Sequence, residues 1–474
     1  MRTTYIKLLT LITASFLLVT GCKKDLALEP TDTINASTVF TSVADLDAGA
    51  IGVYAGLDNG DIGISTRWSD ENYYPVENNA NVGGIGYRWE IDPDAGDAAA
   101  NWAPLYSVIY RANRILRVID NIPTSSASEI ALRDRIKGEL LAIRAYSHFQ
   151  LLRSYAENYA GTALGIPYLT SFDDDPTKTK PARTSVADNY TKIEADLALA
   201  KTLIPATFTD VTRVTRKAVS AIQARVFLYE KKWDDAITAA TEVINSTPLA
   251  TRAQFPGIWT DANNSEIAWK LKRESGNGTL GTIYRNAQGL VYFAAALKLI
   301  NTYDQVNDIR FNSYIKIDNT RAANQTKNLV VKYVGGNTSL LNLADVKLFR
   351  TAEAYLIRAE ANAEKTFYLA AANDINALRT QRITGYVNIG AYADKTAALA
   401  DIYNERFKEL AYEGHRYFDL RRQGLTINRN PIAPDDNSAG KLILAPTAKE
   451  YYLPIPGSEI RANGNIVQNP VYLR

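Results

Sequence analysis

The strongest constraint on the fold of this chain is a pair of adjacent helical patterns with small residues on one face. In the segment 217–230, and in the one that follows the Lys231–Lys232 turn, small and apolar residues return every three or four positions: Ala221, Ala224 and Leu228, then Trp233, Ala236, Ala240 and Val243. This spacing places them on one face of each helix. Because alanine side chains are small, they allow two helices to approach closely. The pattern therefore predicts two antiparallel helices joined by a tight turn.

The same pattern returns elsewhere in the chain. One further pair joins 350–364, which carries Ala352, Tyr355, Ala359 and Ala363, to a helix that carries Ala371, Ile375 and Leu378. Helices are also predicted over 42–57, 102–119 and 140–155, with serine caps at Ser42 and Ser185. Such pairs resemble tetratricopeptide units, which predicts a mainly α fold, an α–α superhelix of stacked helix pairs. Arrays of this kind favour a binding protein over an enzyme.

Two segments, 58–100 and 252–340, interrupt the helical pattern. They are rich in Gly, Asn, Asp and aromatic residues and contain few long periodic runs. We therefore predict irregular loops with short strands, among them an alternating run from Ile267 to Leu271 in which Trp269 is buried. Loops on a rigid scaffold are where ligands are usually bound, so the ligand site is expected there.

The N-terminus is typical of an export signal. Arg2 and Lys7 precede an apolar run of about twelve residues, which is too short for a membrane-spanning helix. The run ends at Gly21–Cys22, which resembles a lipoprotein box, and Cys22 is the only cysteine. We predict a signal peptide over 1–21, acylation of Cys22 with diacylglycerol and a fatty acid, and a tether over 22–41. The alternative is an ordinary signal peptide with an incidental cysteine.

Composition excludes several classes of site. One Cys and two distant histidines, His148 and His415, rule out internal disulfides and Cys-rich zinc sites, and neither a metal nor a cofactor is predicted. Acidic runs at 92–97 and 173–175 lack the spacing of a calcium loop and are expected to be solvated. Of 53 Lys and Arg, two lie in the signal peptide, so the remaining 51 balance 51 acids. A nucleic-acid surface is therefore not indicated.

A family likeness rests on motifs spread over the mature chain. They are Trp102, Leu105–Tyr106, Ile109, Ala112–Asn113, Gly138–Glu139, Arg144–Ala145, Gly165–Tyr168, Ala182–Arg183, Lys217–Ala218, the segments 353–360 and 405–424, Leu453–Pro456 and Gln468–Pro470. Their order and spacing resemble the SusD/RagB family. The resemblance implies one domain, with an N-terminal half at 42–250 that is completed by a C-terminal half at 251–474, and a loop-rich, minor-β region that holds the ligand.

The resemblance also implies a function. Members of this family are surface-exposed, lipid-anchored outer-membrane proteins without catalytic activity. They bind glycans and deliver them to a SusC-like TonB-dependent transporter. The alternatives are a peptide-binding, RagB-like member, a scaffold without a ligand and, less favoured, a glycosidase. Glu405, Glu409 and Glu413 could supply paired carboxylates for a glycosidase. Because Arg406, Arg416, Arg421 and Arg422 lie nearby in sequence, we predict a structural network of ion pairs instead.

The candidate ligand residues combine aromatic rings with polar groups. A sugar presents an apolar face and a rim of hydroxyls, which suits an aromatic platform flanked by amides, carboxylates and arginine. The loop-rich segment 58–100 supplies both types: Trp68, Asp70, Asn72, Tyr73, Tyr74, Tyr87, Arg88 and Trp89. A second loop adds Tyr284, Arg285 and Asn286. The alternative is that some of these rings pack the loops onto the body.

Overall fold

The computed structural model describes residues 39–171, 179–336 and 339–473. The predicted signal peptide, Cys22, residues 22–38 of the tether and the acidic run 173–175 lie outside the described residues, so their predicted roles stay predictions. No helix in the described part of the chain has the length and hydrophobicity of a membrane span.

The α-helices account for most of the regular structure. They are α1 (Val43–Tyr54), α2 (Gly60–Trp68), α3 (Gly84–Tyr87), α4 (Trp102–Leu116), α5 (Ala127–Tyr155), α6 (Val186–Leu203), α7 (Arg216–Glu230), α8 (Trp233–Ser246), α9 (Phe255–Trp259), α10 (Leu297–Ile300), α11 (Ile309–Tyr314), α12 (Thr351–Glu364), α13 (Tyr368–Arg382), α14 (Lys395–Glu409), α15 (Arg416–Gln423) and α16 (Gly457–Ala462).

The strands form small antiparallel pairs that tie distant segments together. They are β1 (Asn72–Tyr73) with β3 (Ala294–Ala295), β2 (Ile267–Leu271) with β6 (Val346–Arg350), β4 (Ile315–Ile317) with β5 (Asn328–Val330), and β7 (Ile427–Asn428) with β8 (Ile443–Leu444). Trp269 in β2 is fully buried, as predicted. The mainly α fold with minor β structure is confirmed.

The long helices pack largely in sequence order. Helix α1 packs against α4 and α5, α5 against α6, α7 against α8, and α12 against both α13 and α14, while α8 contacts α12 across the intervening loops. Close approach depends on small residues: a Cβ added at Gly138 of α5 would lie 3.0 Å from the carbonyl oxygen of Ala200 in α6. These contacts confirm the predicted helix pairs.

Helix boundaries follow local capping chemistry. Ser42 accepts a hydrogen bond from the amide of Asp45, whose carboxylate accepts from the amide of Ser42, which is the predicted capping box. Ser185 likewise accepts from the amide of Asp188 at 3.0 Å. The helix predicted over 140–155 begins earlier, at Ala127, because Ser126 caps it through the amide of Glu129.

The carboxylates of Glu405, Glu409 and Glu413 are buried and ion-paired, which confirms the network but corrects its partners. Arg310 lies 2.5 Å from Glu405, and Arg350 lies 2.9 Å from Glu409 and 2.6 Å from Glu413. The arginines that are near in sequence bind other groups: Arg406 pairs with Asp419, Arg416 with Asp70, Arg422 with Glu360, and Arg421 with backbone carbonyls. Helix α14 ends at Glu409, so Glu413 lies beyond it. The partners Arg310 and Arg350 come from α11 and from the end of β6.

Candidate functional site

The two loop segments that were predicted to form the site do meet. Asn72 pairs with Ala295 and Tyr73 with Ala294 in the β1–β3 ladder. The hydroxyl of Tyr284 lies 3.2 Å from that of Thr66. The two segments therefore lie in one region, as predicted.

Arg429, which was not among the predicted site residues, organises the first of these segments. Its guanidinium stacks on the rings of Tyr87 and Trp89, 3.7 and 3.9 Å from their centroids. It donates to the carbonyl oxygens of Ser69, at 3.1 Å, and Arg67, at 2.8 Å. Burial lowers the pKa of Arg429. Nothing in the local sequence around position 429 signals this role, because all the partners named here lie more than 300 residues away.

Asp70, predicted to contact a ligand, is instead fully buried as an anchor. Its carboxylate accepts from Arg416 at 2.7 Å and from Lys298 at 2.5 Å. Burial alone raises the pKa of Asp70, but the two cations outweigh burial and lower the pKa to about 2. Asn72 is also fully buried, and its side-chain amide has no hydrogen-bond partner among the described residues.

The predicted aromatic platform needs correction, because neighbouring side chains cover its rings. Trp89 is 5% exposed and donates from its indole nitrogen to the carbonyl oxygen of Trp68. Tyr74 stacks on Tyr87 with the ring centroids 5.7 Å apart. The buried rings among the predicted site residues are Trp68, Tyr73, Tyr74, Tyr87, Trp89 and Tyr284. They anchor the loops to the body, which was the alternative interpretation.

Three predicted site residues remain accessible. Arg88, at 18% side-chain exposure, donates to Asn81 and pairs with Glu90 at 3.2 Å. Arg285 and Asn286 are half-buried at the surface of the second loop. Of these residues, Arg285 lines a cavity.

That cavity is a cleft of about 950 Å³ in the loop-rich region, within the size range of small-molecule sites. Helix α11 and the β4–β5 hairpin form much of its wall. The apolar lining is mostly aliphatic: Val306, Ile309, Ile315, Ile317, Leu329, Val331 and Val334, with Trp259 and Phe311. Polar groups along the rest of the wall include Gln305, Asn312, Ser313, Lys316 and Asp318. A ligand here would meet an apolar surface beside directional hydrogen-bonding groups.

Arg285 is the charged group in this cleft whose donors are free to bind. Within the described residues, its guanidinium makes no hydrogen bond or ion pair, whereas Lys316 pairs with Asp318 at 3.0 Å. Burial, together with the nearby Arg321 cation, lowers the pKa of Arg285. A guanidinium offers five N–H donors in a fixed plane, which matches adjacent oxygen atoms on a ligand.

The histidines have structural environments. His148 contacts the carbonyl oxygen of Arg144 at 2.9 Å and accepts from the amide of Leu169 at 3.0 Å. Burial lowers its pKa to about 3, so the ring is neutral. His415 is also buried, and burial lowers its pKa well below the ordinary value. In the described ranges, no group of three or more His, Cys, Asp or Glu residues has metal-site geometry.

Two family models match most of the chain between them. The model described as "SusD family" matches residues 298–472, and the model described as "Starch-binding associating with outer membrane" matches residues 28–228. The chain belongs to the SusD/RagB family. Its mainly helical fold is therefore that of a SusD-like protein.

Similar proteins span nearly the whole of this SusD-family chain. SusD-like protein P25 of Formosa agariphila is 23% identical, over 86% of this chain and 88% of its own. A solved SusD superfamily protein from Bacteroides thetaiotaomicron is 25% identical with a TM-score of 0.78, covering 90% of this chain and 100% of that one. A putative sugar binding protein from Bacteroides vulgatus is 26% identical with a TM-score of 0.78, covering 92% and 99%.

Proposed function

We propose that this protein is a non-catalytic, lipid-anchored component of the outer membrane. In this proposal it binds glycan oligosaccharides in the Arg285 cleft and delivers them to a SusC-like TonB-dependent transporter. The observation that carries the proposal is the free guanidinium of Arg285 in a cleft of about 950 Å³ on a SusD-family fold. The similarity to a putative sugar binding protein from Bacteroides vulgatus adds support.

The cleft has the chemical features that a glycan needs. Sugar hydroxyls both donate and accept hydrogen bonds, and the wall offers the donors of Arg285 and the amide of Asn312, which has both a donor and an acceptor. The apolar lining suits the C–H face of a pyranose ring. Arg88 and Asn286, which are half-buried in the loop-rich segments, are proposed to extend contacts with longer chains.

Peptide binding is the second candidate, and the aliphatic lining of the cleft favours it. Exposed side chains such as Val306, at 84% exposure, would contact apolar side chains of a peptide. Apart from the buried Trp259 and Phe311, the lining lacks the flat aromatic surface that sugars prefer.

Affinity electrophoresis distinguishes the two ligand classes. Mature protein is run in native gels that contain starch, laminarin, xylan, mannan or pectin, and parallel samples receive a mixture of oligopeptides. Retardation by at least one polysaccharide supports glycan binding. No retardation in any gel, together with saturable binding of peptides, would show that the ligand is a peptide and not a glycan.

The membrane anchor and the transporter are tested separately. Cys22→Ala should abolish metabolic labelling with a fatty acid and release the protein from the outer-membrane fraction. Affinity purification of the native, lipidated protein from mild detergent should recover a TonB-dependent transporter. Recovery of Cys22→Ala in the membrane fraction with labelling intact would contradict the anchor.

A further inference from the structure

A second large cavity lies on the helix-pair body, at the ends of helices α7, α12 and α15. It has a volume of about 650 Å³ and shares no lining residue with the Arg285 cleft. Its mouth includes the exposed residues Asn158, Gly424 and Leu425. The volume lies in the range of pockets that hold small ligands.

Aromatic side chains form much of the wall of this cavity. Tyr159, Tyr229, Trp233, Tyr403 and Tyr452 line it, and all except Tyr229 are partly exposed. The loop-rich region lacks such partly exposed rings at the predicted positions, where each ring is buried. The flat apolar surface that a sugar ring prefers is therefore present here.

Each carboxylate that lines the wall has a cationic partner. Arg422 binds Glu360 at 2.7 Å and Asp419 at 2.9 Å. Lys232, beside the cavity, lies 2.5 Å from Glu194 and 3.1 Å from Glu230. Burial, reinforced by the neighbouring Glu194 carboxylate, raises the pKa of Glu230 to about 8. Within the described residues, the wall therefore has no unpaired carboxylate for a cationic ligand, and its polar atoms suit the hydroxyl groups of a neutral one.

Two buried polar atoms of lining residues have no partner among the described residues. They are Oε2 of Glu230 and Nε of Arg421. Arg421 is 6% exposed; its Nη1 donates to the carbonyl oxygens of Arg153 and Ser154, and its Nη2 donates to that of Ala156. An unpaired buried polar atom is costly, and hydroxyl groups of a ligand would satisfy a fixed donor and a carboxyl group together.

We propose that this cavity is a second saccharide-binding site, for a neutral sugar, on the helix-pair body. The proposal rests on the glycan-binding function proposed above and extends it to a site remote in the fold from the Arg285 cleft. A neutral sugar supplies hydroxyl groups for Glu230 and Arg421 and a C–H face for the tyrosine and tryptophan rings.

Trp233 gives this site a direct spectroscopic signal. It is the only one of the six tryptophans, all in described residues, that is not buried, so a collisional quencher such as acrylamide should reach it selectively. The quenchable fluorescence of mature protein is measured with maltotetraose, laminaritetraose, xylotetraose or mannotetraose. At least one of these should protect Trp233 saturably, and Trp233→Phe should remove the quenchable signal.

Variants decide which cavity the sugar occupies. Tyr403→Ala should weaken the protection about tenfold. Leu425→Arg, at the exposed mouth, should block the cavity and remove the protection without altering the core. This second variant tests the site even if Tyr403→Ala does not fold. Arg285→Ala should leave the protection unchanged. Absence of protection by all four sugars, or its loss in Arg285→Ala, would overturn this second site.

Calorimetric titration of the same samples separates the two proposals. Binding that depends on Arg285 without protection of Trp233 would overturn the second site and keep the first. Protection of Trp233 with binding unaffected by Arg285→Ala would keep the second site and overturn the first.

Discussion

Arg350 Nη1 lies 2.9 Å from Glu409 Oε1 in the interior of the protein, where neither side chain is more than 1% exposed. The contact joins the end of β6 to the last residue of α14. Arg310 and Arg382 approach the same carboxylate at 3.1 and 3.2 Å. This charge network joins α11 and β6 to helices α13 and α14.

Glu409→Gln should therefore destabilise the protein strongly. Removing one member of a buried ion pair leaves uncompensated charge, and we expect a loss of about 3–5 kcal/mol in the free energy of unfolding. Urea denaturation measures the loss. The exposed Glu274→Gln is the control and should change stability by less than about 0.5 kcal/mol. A similar small effect of Glu409→Gln would show that the network is dispensable.

Stability should fall in acid because of Asp70 and Asp419. Burial raises the pKa of each, but Arg416 and Lys298 at Asp70, and Arg406 and Arg422 at Asp419, lower it from 3.8 to about 2. A lowered folded-state pKa gives stability that is complete above the unfolded value and is lost as the pH falls toward 2. Urea midpoints measured over this range should decrease steadily. Constant midpoints would contradict the assignment.

Glu71 provides an internal control of opposite sign. Burial raises its pKa from 4.5 to about 7, and the Asp70 carboxylate adds to the rise. Its contribution is present below pH 4.5 and is lost as the pH rises toward 7. Glu71→Gln should flatten the profile on this neutral side and leave the acid decline in place.

The sequence predicted the scaffold well because its signals are local. Alanine spacing in α7 and α8 and the capping box at Ser42 depend on residues within a few positions of one another. The partners of Glu409 were mispredicted because ion pairing depends on tertiary neighbours. Arg310 and Glu409 are 99 positions apart, and no spacing rule connects them.

Gly414 tests how closely α2 approaches the segment after α14. Its φ is +80°, and an added Cβ would lie 2.9 Å from the backbone of Asp61 and Ile62. Gly414→Ala should cost at least about 2 kcal/mol, because it combines a left-handed backbone with a clash. Gly424, with φ of +63° and open space around it, is the control, and its alanine variant should lose only about 1 kcal/mol. Equal losses in denaturation would contradict the clash.

Trp89→Ala should lower the stability of the fold, and any loss of ligand binding should follow from that. The ring is buried against the Arg429 guanidinium, and truncating a buried tryptophan typically costs about 3–5 kcal/mol. Thermal unfolding should show a large drop in melting temperature. An unchanged melting temperature with loss of glycan retardation would restore Trp89 as a ligand contact.

The site was harder to predict than the scaffold, for a physical reason. Tryptophan and tyrosine are equally suited to stacking on sugars and to filling a core, and the sequence of residues 68–89 does not distinguish the two. Burial depends on Arg429 and Phe293, which come from distant segments. Arg285 was predicted as part of the second loop, together with Tyr284 and Asn286, and of these three residues it is the one that lines the cleft.

The most direct test of the account is calorimetric titration of neutral oligosaccharides into mature wild-type protein and into Arg285→Ala. Arg461→Ala is the matched control, because Arg461 is a surface arginine paired with Asp94 and lines neither cavity. Wild type and Arg461→Ala should bind at least one oligosaccharide equally, and Arg285→Ala should reduce the affinity of the cleft about tenfold or more, the equivalent of about 1.4 kcal/mol. Unchanged affinity in Arg285→Ala, or no binding of any glycan by the wild type, would contradict the proposed function.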